Sequence, residues 1–348
     1  MKALIERGHK VTILAPSDAS TANLKQIGCD FLPLNMKVKG LNPFQEVRLC
    51  IDFVRIFRDE KPDVILSFTI KNNIFGGFAA KYLGLPFLPN VTGLGTSFLS
   101  GHVLKILTTA LYKKAFKNLQ VIFFQNNDDS ELFINLRIST SQNSKILPGS
   151  GVDLESFGFE KMPYNKNKIF LMVSRLLKDK GVVEFVTAAR FIKKKYPDVR
   201  FQLLGSLSKD NRSAISKQTL QRWVEAGDVD YLGFAPDVRH AISEASCIVL
   251  PSYREGTPRT LLEASAMGRP IITTDVPGCR GVVDPDSTGY LCKAKDVKSL
   301  VFAMERILSL TDKQIASMGL AGREKMEKTF DQDIVVGIYL RYIDELTR

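Results

Sequence analysis

Arg254-Glu255-Gly256-Thr257-Pro258-Arg259-Thr260-Leu261-Leu262-Glu263-Ala264 decides how this chain is read. It follows Ile248-Val249-Leu250-Pro251-Ser252, an apolar run that predicts a buried strand. Thr257 is a good N-cap and Pro258 suits the first helical position, so a helix is expected to open there. Glu255 lies in the loop, and Glu263 stands eight residues on. Eight helical residues rise roughly 12 Å. That span is too long for two carboxylates to share one bond, but it suits a long ligand gripped at both ends. The helix start between them offers free backbone N–H groups to an anion. The pattern fits a nucleotide diphosphate-sugar, with one glutamate near the sugar, the other near the ribose and the phosphates between.

Strand and helix alternate outward from this segment almost throughout, which predicts parallel α/β architecture. In the first half, strands are expected at Val11–Ala15, Asp30–Leu34, Asp63–Ser67, Pro86–Val91, Val121–Gln125 and Lys145–Leu147, with a helix at Asn73–Leu83 stopped by Gly84. In the second half they are expected at Ile169–Val173, Arg200–Leu204, Val229–Leu232, Cys247–Leu250, Pro270–Thr273 and Tyr290–Cys292. Helices are expected at Gly181–Tyr196, Ser213–Ala226, Val238–Ala245, Arg259–Met267, Val297–Leu308, Asp312–Thr329 and Gln332–Leu346. Pro148–Lys168 carries glycines and a proline without apolar periodicity and predicts a linker. The result is two doubly wound Rossmann-like domains facing a cleft, 1–150 on the acceptor side and 151–331 on the nucleotide-sugar side. The last helix, 332–348, is a candidate to pack back on the first domain. Met1–His9 has the pattern of a helix already under way, where such a domain should first supply a strand and a tight turn. The expectation is therefore that a strand, a loop and the first turns of a helix, roughly 20–30 residues, are missing before Met1.

The composition, 45% hydrophobic and 24% charged over 348 residues, leaves room for sizeable cores. Five scattered cysteines without a Cys-x-x-Cys pair point to reduced thiols and a cytoplasmic setting. Three histidines argue against a His-rich metal site. No run approaches the ~20 apolar residues of a membrane span. The net charge of +11 is compatible with a plain soluble surface or with attraction to an anionic membrane surface. No nucleic acid is expected, because zinc spacings, RNP-like aromatic strands and dense basic tracts are all missing. Phe98–Lys117 mixes apolar residues such as Phe98, Leu99 and Leu107 with Lys105, Lys113, Lys114 and Lys117. It fits either an interfacial helix or one packed on the sheet.

Glu-x7-Glu after a strand, with Gly-Thr-Pro-Arg inside it and Ala264-Ser265-Ala266-Met267-Gly268-Arg269-Pro270-Ile271-Ile272 behind it, resembles the family 4 retaining glycosyltransferases of the GT-B fold. The similarity runs through nearly the whole chain. It implies that Glu255 contacts the donor sugar near the reacting centre and that Glu263 holds the ribose hydroxyls. Gly256, Thr257, Arg259 and Thr260 belong to the same donor-binding segment. Arg175 and Lys180, at a strand-to-helix junction, suit a diphosphate by bidentate pairing and by point charge. Relatives place such a pair on the leaving diphosphate, and Lys180 fits that pattern better than Lys178. Gly205 ends a strand at the cleft edge, where it serves a tight turn or a close approach to the nucleotide. Tyr231-Leu232-Gly233-Phe234 resembles the segment beside the base.

Many relatives carry a His-Gly where this chain has Thr92-Gly93, which removes one usual donor contact. Asn90-Val91-Thr92-Gly93-Leu94-Gly95 and Thr69-Ile70-Lys71-Asn72-Asn73 are similar to a subgroup acting on lipid-diphosphate-linked sugars. Lys71 either meets the acceptor's phosphate or is a solvated loop lysine.

The resemblance implies transfer of a hexose or N-acetylhexosamine from a UDP-sugar to a lipid-linked glycan acceptor, with the anomeric configuration kept. It implies no metal and no cofactor. Asp-x-Asp occurs three times, at Asp228/Asp230, Asp284/Asp286 and Asp331/Asp333, each read as structural. A sugar-nucleotide epimerase or hydrolase, and a non-catalytic nucleotide-sugar binder, are the alternatives.

Overall fold

A computed structural model describes residues 1–18, 20–36, 42–94, 102–163, 167–208, 211 and 213–347. Gly95, Phe98 and Leu99 lie outside the described residues.

The first half begins with α1 (Lys2–Glu6), β1 (Thr12–Ala15), α2 (Thr21–Gln26), β2 (Asp30–Pro33), α3 (Pro43–Glu60) and β3 (Ile65–Phe68). It continues with α4 (Gly77–Leu83), β4 (Phe87–Val91), α5 (His102–Ala115), β5 (Ile122–Phe124), α6 (Asn127–Asn135) and β6 (Ser144–Ile146). β3, β4, β5 and β6 form one parallel sheet in chain order, while β1 pairs with β2 in a sheet of its own. The helix expected over Asn73–Leu83 is two pieces, a π-helical turn at Asn72–Gly76 followed by α4. It opens behind Thr69, a non-glycine residue at φ +73°. Such a backbone is costly for a side-chain-bearing residue and concentrates at functional turns.

The second half carries β7 (Ile169–Val173), α7 (Val182–Lys195), β8 (Arg200–Leu204), α8 (Lys217–Glu225), β9 (Asp230–Tyr231), α9 (Arg239–Glu244) and β10 (Cys247–Leu250). Then come α10 (Arg259–Ala266), β11 (Ile271–Thr274), β12 (Gly289–Cys292), α11 (Val297–Leu308), α12 (Asp312–Lys325) and α13 (Gln332–Thr347). Its sheet is parallel with the order β12-β11-β10-β7-β8-β9. The chain therefore winds one way from β7 to β9 and the other way from β10 to β12. The switch point lies between β7 and β10, and crevices at the carboxyl ends of such strands are where ligands bind in this architecture. Central strands such as β7, β10 and β11 are buried along their whole length, as expected of parallel strands covered by helices on both faces.

Two local expectations need correction. Pro258, not Thr257, occupies the N-cap of α10. The Thr257 hydroxyl is drawn away by a carbonyl of the first half, that of Gln125, at 2.9 Å. α10 therefore starts only at Arg259, and half of the eight-residue separation between Glu255 and Glu263 is loop rather than helix. The helix expected over Asp312–Thr329 also changes character at Met326, where a π-helical turn runs to Phe330.

Val335 and Ile343 of α13 pack in one cluster with Leu88, Val121 and Phe123 of the first half. Tyr339 and Tyr342 set their rings edge-on to Phe123 at 5.0 and 5.4 Å. Asn90 Nδ2 donates to the Tyr339 hydroxyl at 2.6 Å. Arg269, fully buried, stitches the linker to the second half. Its guanidinium donates to the carbonyls of Glu160, Lys161, Ile242 and Ser243 at 3.1 to 3.2 Å.

Candidate active site

The β7–α7 and β10–α10 loops both open at the switch point, and the chain ties them together. Tyr253 N–H donates to the Asp179 carbonyl at 2.9 Å, and Ser252 Oγ lies 3.2 Å from the same oxygen. Gly181, at φ +79°, brings the first turn of α7 against the Pro251 carbonyl, where a Cβ would collide with backbone. Tyr253 adds a 2.6 Å hydrogen bond to Glu184.

This bracing brings Lys180 and Glu255 into an ion pair through Nζ and Oε1, with both side chains mostly buried. Ser252 Oγ donates to the same carboxylate oxygen at 2.7 Å. The two residues lie 75 apart in the chain, so their meeting is a tertiary fact. Arg175 stands exposed just beyond β7 and makes no ion pair among the described residues. Behind Glu255, α10 begins without a side-chain cap. Its first amides are left to attract negative charge. The arrangement can therefore put one lysine, one arginine and a helix N-terminus around an anion beside a carboxylate.

The other expected donor residues lie nearby in differing states. Glu263 accepts from Arg259 at 3.1 Å, one helical turn away. Burial pushes its carboxyl above the ordinary range, opposed by the Arg259 charge. Arg259 itself is exposed and Thr260 partly so. Gly205, at φ +151°, lies so close to Ser174 that a Cβ would strike its carbonyl. The Gly205 carbonyl accepts from the Tyr231 hydroxyl at 2.9 Å. Phe234 projects into solvent with 70% of its surface exposed, as a stacking platform for a ring would.

Thr92 and Gly93 follow β4 and press directly on the second half. A Cβ on Gly256 would collide with the Thr92 carbonyl, and one on Gly93 would reach Gly256 N at 3.2 Å. Thr257 packs on Gly149. Gly256 is thus a residue of closest approach between the halves. Lys71 stands off from this contact, at the head of the π-helical turn, paired with buried Glu46 at 2.5 Å. Asn73 connects the two regions, donating to the Asn90 carbonyl at 2.9 Å just before the Thr92-Gly93 loop.

Sequence reasoning gave no role to Ser252, Asp179, Gln125, Asn126 or Asp129, all of which position this loop. Apart from the Ser252–Glu255 contact, three residues apart, their partners are far off in the chain and no local spacing announces them. The carboxylates of two of the three Asp-x-Asp pairs are engaged in ion pairs elsewhere. Asp228 meets Arg190, Asp230 meets Arg200, Asp284 meets Lys325 and Asp286 meets Arg306. Asp331 accepts from the Asp333 amide at the start of α13. No group of three or more His, Cys, Asp or Glu side chains among the described residues is placed to hold a metal ion.

Comparison with known proteins decides the family. The model described as glycosyl transferases group 1 matches residues 155–325, and the one described as glycosyl transferase 4-like matches residues 1–126. The chain belongs to this glycosyltransferase family. The N,N'-diacetylbacillosaminyl-diphospho-undecaprenol alpha-1,3-N-acetylgalactosaminyltransferase of Campylobacter jejuni is 28% identical, the match covering 100% of this chain and 94% of that protein. A UDP-Gal:alpha-D-GlcNAc-diphosphoundecaprenol alpha-1,3-galactosyltransferase of Escherichia coli is 26% identical over 84% of this chain and 78% of its own. Among solved structures, the Anabaena protein HepE in complex with UDP-glucose superposes with a TM-score of 0.81 at 16% identity, covering 99% of this chain and 93% of that one. A glycosyltransferase from Rickettsia africae superposes at 0.79 with 18% identity, covering 100% and 93%. The glycosyltransferase therefore has the GT-B fold, and its switch-point crevice is the candidate active site.

Proposed function

We propose that this glycosyltransferase moves a hexose or N-acetylhexosamine from a UDP-sugar to a saccharide carried on a polyprenyl diphosphate, with retention of configuration. The observation that carries the reading is the joining of Lys180 and Glu255 at the switch point, with Arg175 in the same β7–α7 loop as Lys180 and the uncapped start of α10 in the chain just after Glu255. The cations and helix amides stabilise the charge that builds on the departing diphosphate, and such electrostatic preorganisation is commonly the largest catalytic contribution. Glu255 faces the sugar, Glu263 the ribose, and Phe234 with the Tyr231–Gly233 backbone the base. Lys71, on the first half, meets the acceptor's phosphates. The two relatives support this acceptor class, since both names specify diphospho-undecaprenol-linked sugars.

A membrane-linked acceptor asks the enzyme to work at a lipid surface. Among the described residues no helix is long and apolar enough to cross a membrane. α5 buries Tyr112 and Ala115 against the first half yet exposes Ile106 and Leu107, and α3 exposes Phe44, Val47 and Ile51. α5 contains no acidic residue and ends in Lys113 and Lys114. These faces suit peripheral attachment to the anionic, cytoplasmic side of a membrane.

The test is a UDP-sugar panel against polyprenyl-diphosphate-linked saccharides, with the product's anomeric configuration read by NMR. One donor is expected to give transfer with retention and no activity lost to a chelator. Release of UDP at the same rate without acceptor, or an inverted product, would overturn the proposal.

A further inference from the structure

The loop carrying Glu255 is gripped from the other domain on both sides of that glutamate. β5 ends at Phe124, and Gln125, Asn126, Asp128 and Asp129 after it reach across. Thr257 Oγ1 donates to the Gln125 carbonyl, and Asn126 Nδ2 donates to the Gly256 carbonyl at 2.9 Å. Arg254 Nη2 donates to Asp129 Oδ1. Arg280 Nη1 donates to Asp128 Oδ1 at 2.8 Å, from just past the turn where the Pro277 carbonyl accepts from the Glu255 amide at 3.3 Å. Gly278, at φ +79° in that turn, presses on the backbone of Glu255 and Gly256.

Asp129 is the buried anchor of the set. Its side chain has no exposed surface, and that of Arg254 is mostly covered. Asn126 caps α6, accepting from the Asp129 amide at 2.8 Å, and its Nδ2 also donates to Asp129 Oδ2 at 3.2 Å. One carboxylate oxygen thus takes the guanidinium and the other takes the cap. Arg254 Nε is buried without a hydrogen-bond partner, so the Asp129 contact is the polar anchor the structure gives this guanidinium.

We infer that Asp129 is a positioning residue which, through Arg254, fixes Glu255 in its working place and so makes the donor site complete only when the two domains meet. The inference rests on the assignment of Glu255 to the donor. Removing one partner of a buried ion pair leaves the other charge uncompensated, and the loop must shift to rehydrate it. A displacement of about 1 Å at a reacting group costs up to about 10²-fold in rate. Nothing in Arg254-Glu255-Gly256 shows this dependence, because the anchor lies 125 residues away.

The experiment uses the full chain and two readouts. Asp129→Asn keeps the shape and removes the charge. It is expected to lower kcat about 10- to 100-fold with donor KM changed less than about threefold. In the Glu255→Gln background the same change should add less than about twofold, since residues acting as a unit are not additive. Hydrogen exchange over residues 252–257, followed without substrate, should be faster in Asp129→Asn than in the unaltered protein. Exchange needs no donor. If the unaltered enzyme transfers from no UDP-sugar, the proposed function falls while the latch is still judged on exchange alone. Unchanged exchange overturns the latch. So does a kcat loss that multiplies fully with Glu255→Gln, which is what a merely structural role would give. Should Asp129→Asn fail to fold, Arg254→Lys is read by the same two measurements under the same criteria.

Discussion

The two halves of the enzyme differ in how their described strands pair. The second half winds its strands into one continuous sheet, with Phe170, Phe201, Ile248 and Ile271 in a single cluster of buried side chains. The first half divides its strands between a β1–β2 pair and a β3–β6 sheet, and its buried residues fall into separate clusters, one completed by α13. The donor loops grow from the continuous sheet and are cross-tied to one another. The features proposed to meet the acceptor, strained Thr69, the π-helical turn and Lys71, sit on the divided one. The contrast teaches that the Lys180–Glu255 pair stands on the continuous sheet, while the other half supplies contacts that hold its loop.

The largest effect that would sharpen this contrast concerns stability. Arg269→Met removes the donor that ties the carbonyls of Glu160 and Lys161 in the linker to those of Ile242 and Ser243. It is expected to destabilise that half by about 3–5 kcal/mol, read by denaturant melts. A change below about 1 kcal/mol would show that the continuous core does not depend on the linker being stitched down.

Next comes the division of labour. Glu255→Ala is expected to cut transfer by about 10²-fold or more while leaving circular dichroism unchanged. Lys71→Ala should instead raise acceptor KM about tenfold with donor KM untouched. If Lys71→Ala raised donor KM and spared the acceptor, the assignment of the halves would be reversed.

The smallest effect is a pH dependence. Burial raises the carboxyl pKa of Glu263. An acid whose folded pKa lies above its unfolded value stabilises the fold most at low pH, and that contribution is lost as pH rises through the two values. Glu263→Gln removes the titration. Its stability relative to the unaltered protein should therefore climb as pH rises above the ordinary glutamate value of about 4.3. A difference that stayed flat in thermal melts, or fell, would mean that Arg259 compensates the buried charge fully.

Much of the second half was legible because its signals are local. Ile169–Val173, Arg200–Leu204 and Cys247–Leu250 are mainly apolar runs followed by Ser174, Gly205 and Pro251, and they form strands with those bounds. Val297–Leu308 follows Asp296, whose side chain caps it at 3.0 Å. The linear motif likewise located Glu255 and Lys180 at loop-to-helix junctions. Helix starts were less legible where another part of the molecule competed for the capping group. Thr257 has the chemistry of an N-cap, but the Gln125 carbonyl takes its hydroxyl proton. The π-helical turns at Asn72 and Met326 leave no mark in the apolar spacing, because an extra residue in one turn is a packing adjustment rather than a pattern.

By itself the sequence determined the alternation of strand and helix, the parallel α/β class and the family to which the chain belongs. Short-range periodicity, capping and residue type carry all three. Only the tertiary structure decided that Lys180 meets Glu255, that Gly256 lies under Thr92, and that Asp129 holds Arg254. Each of these contacts depends on where two distant loops arrive in space. That arrival is fixed by the order of strands in the sheet and by the meeting of the two domains, neither of which a window of neighbouring residues contains.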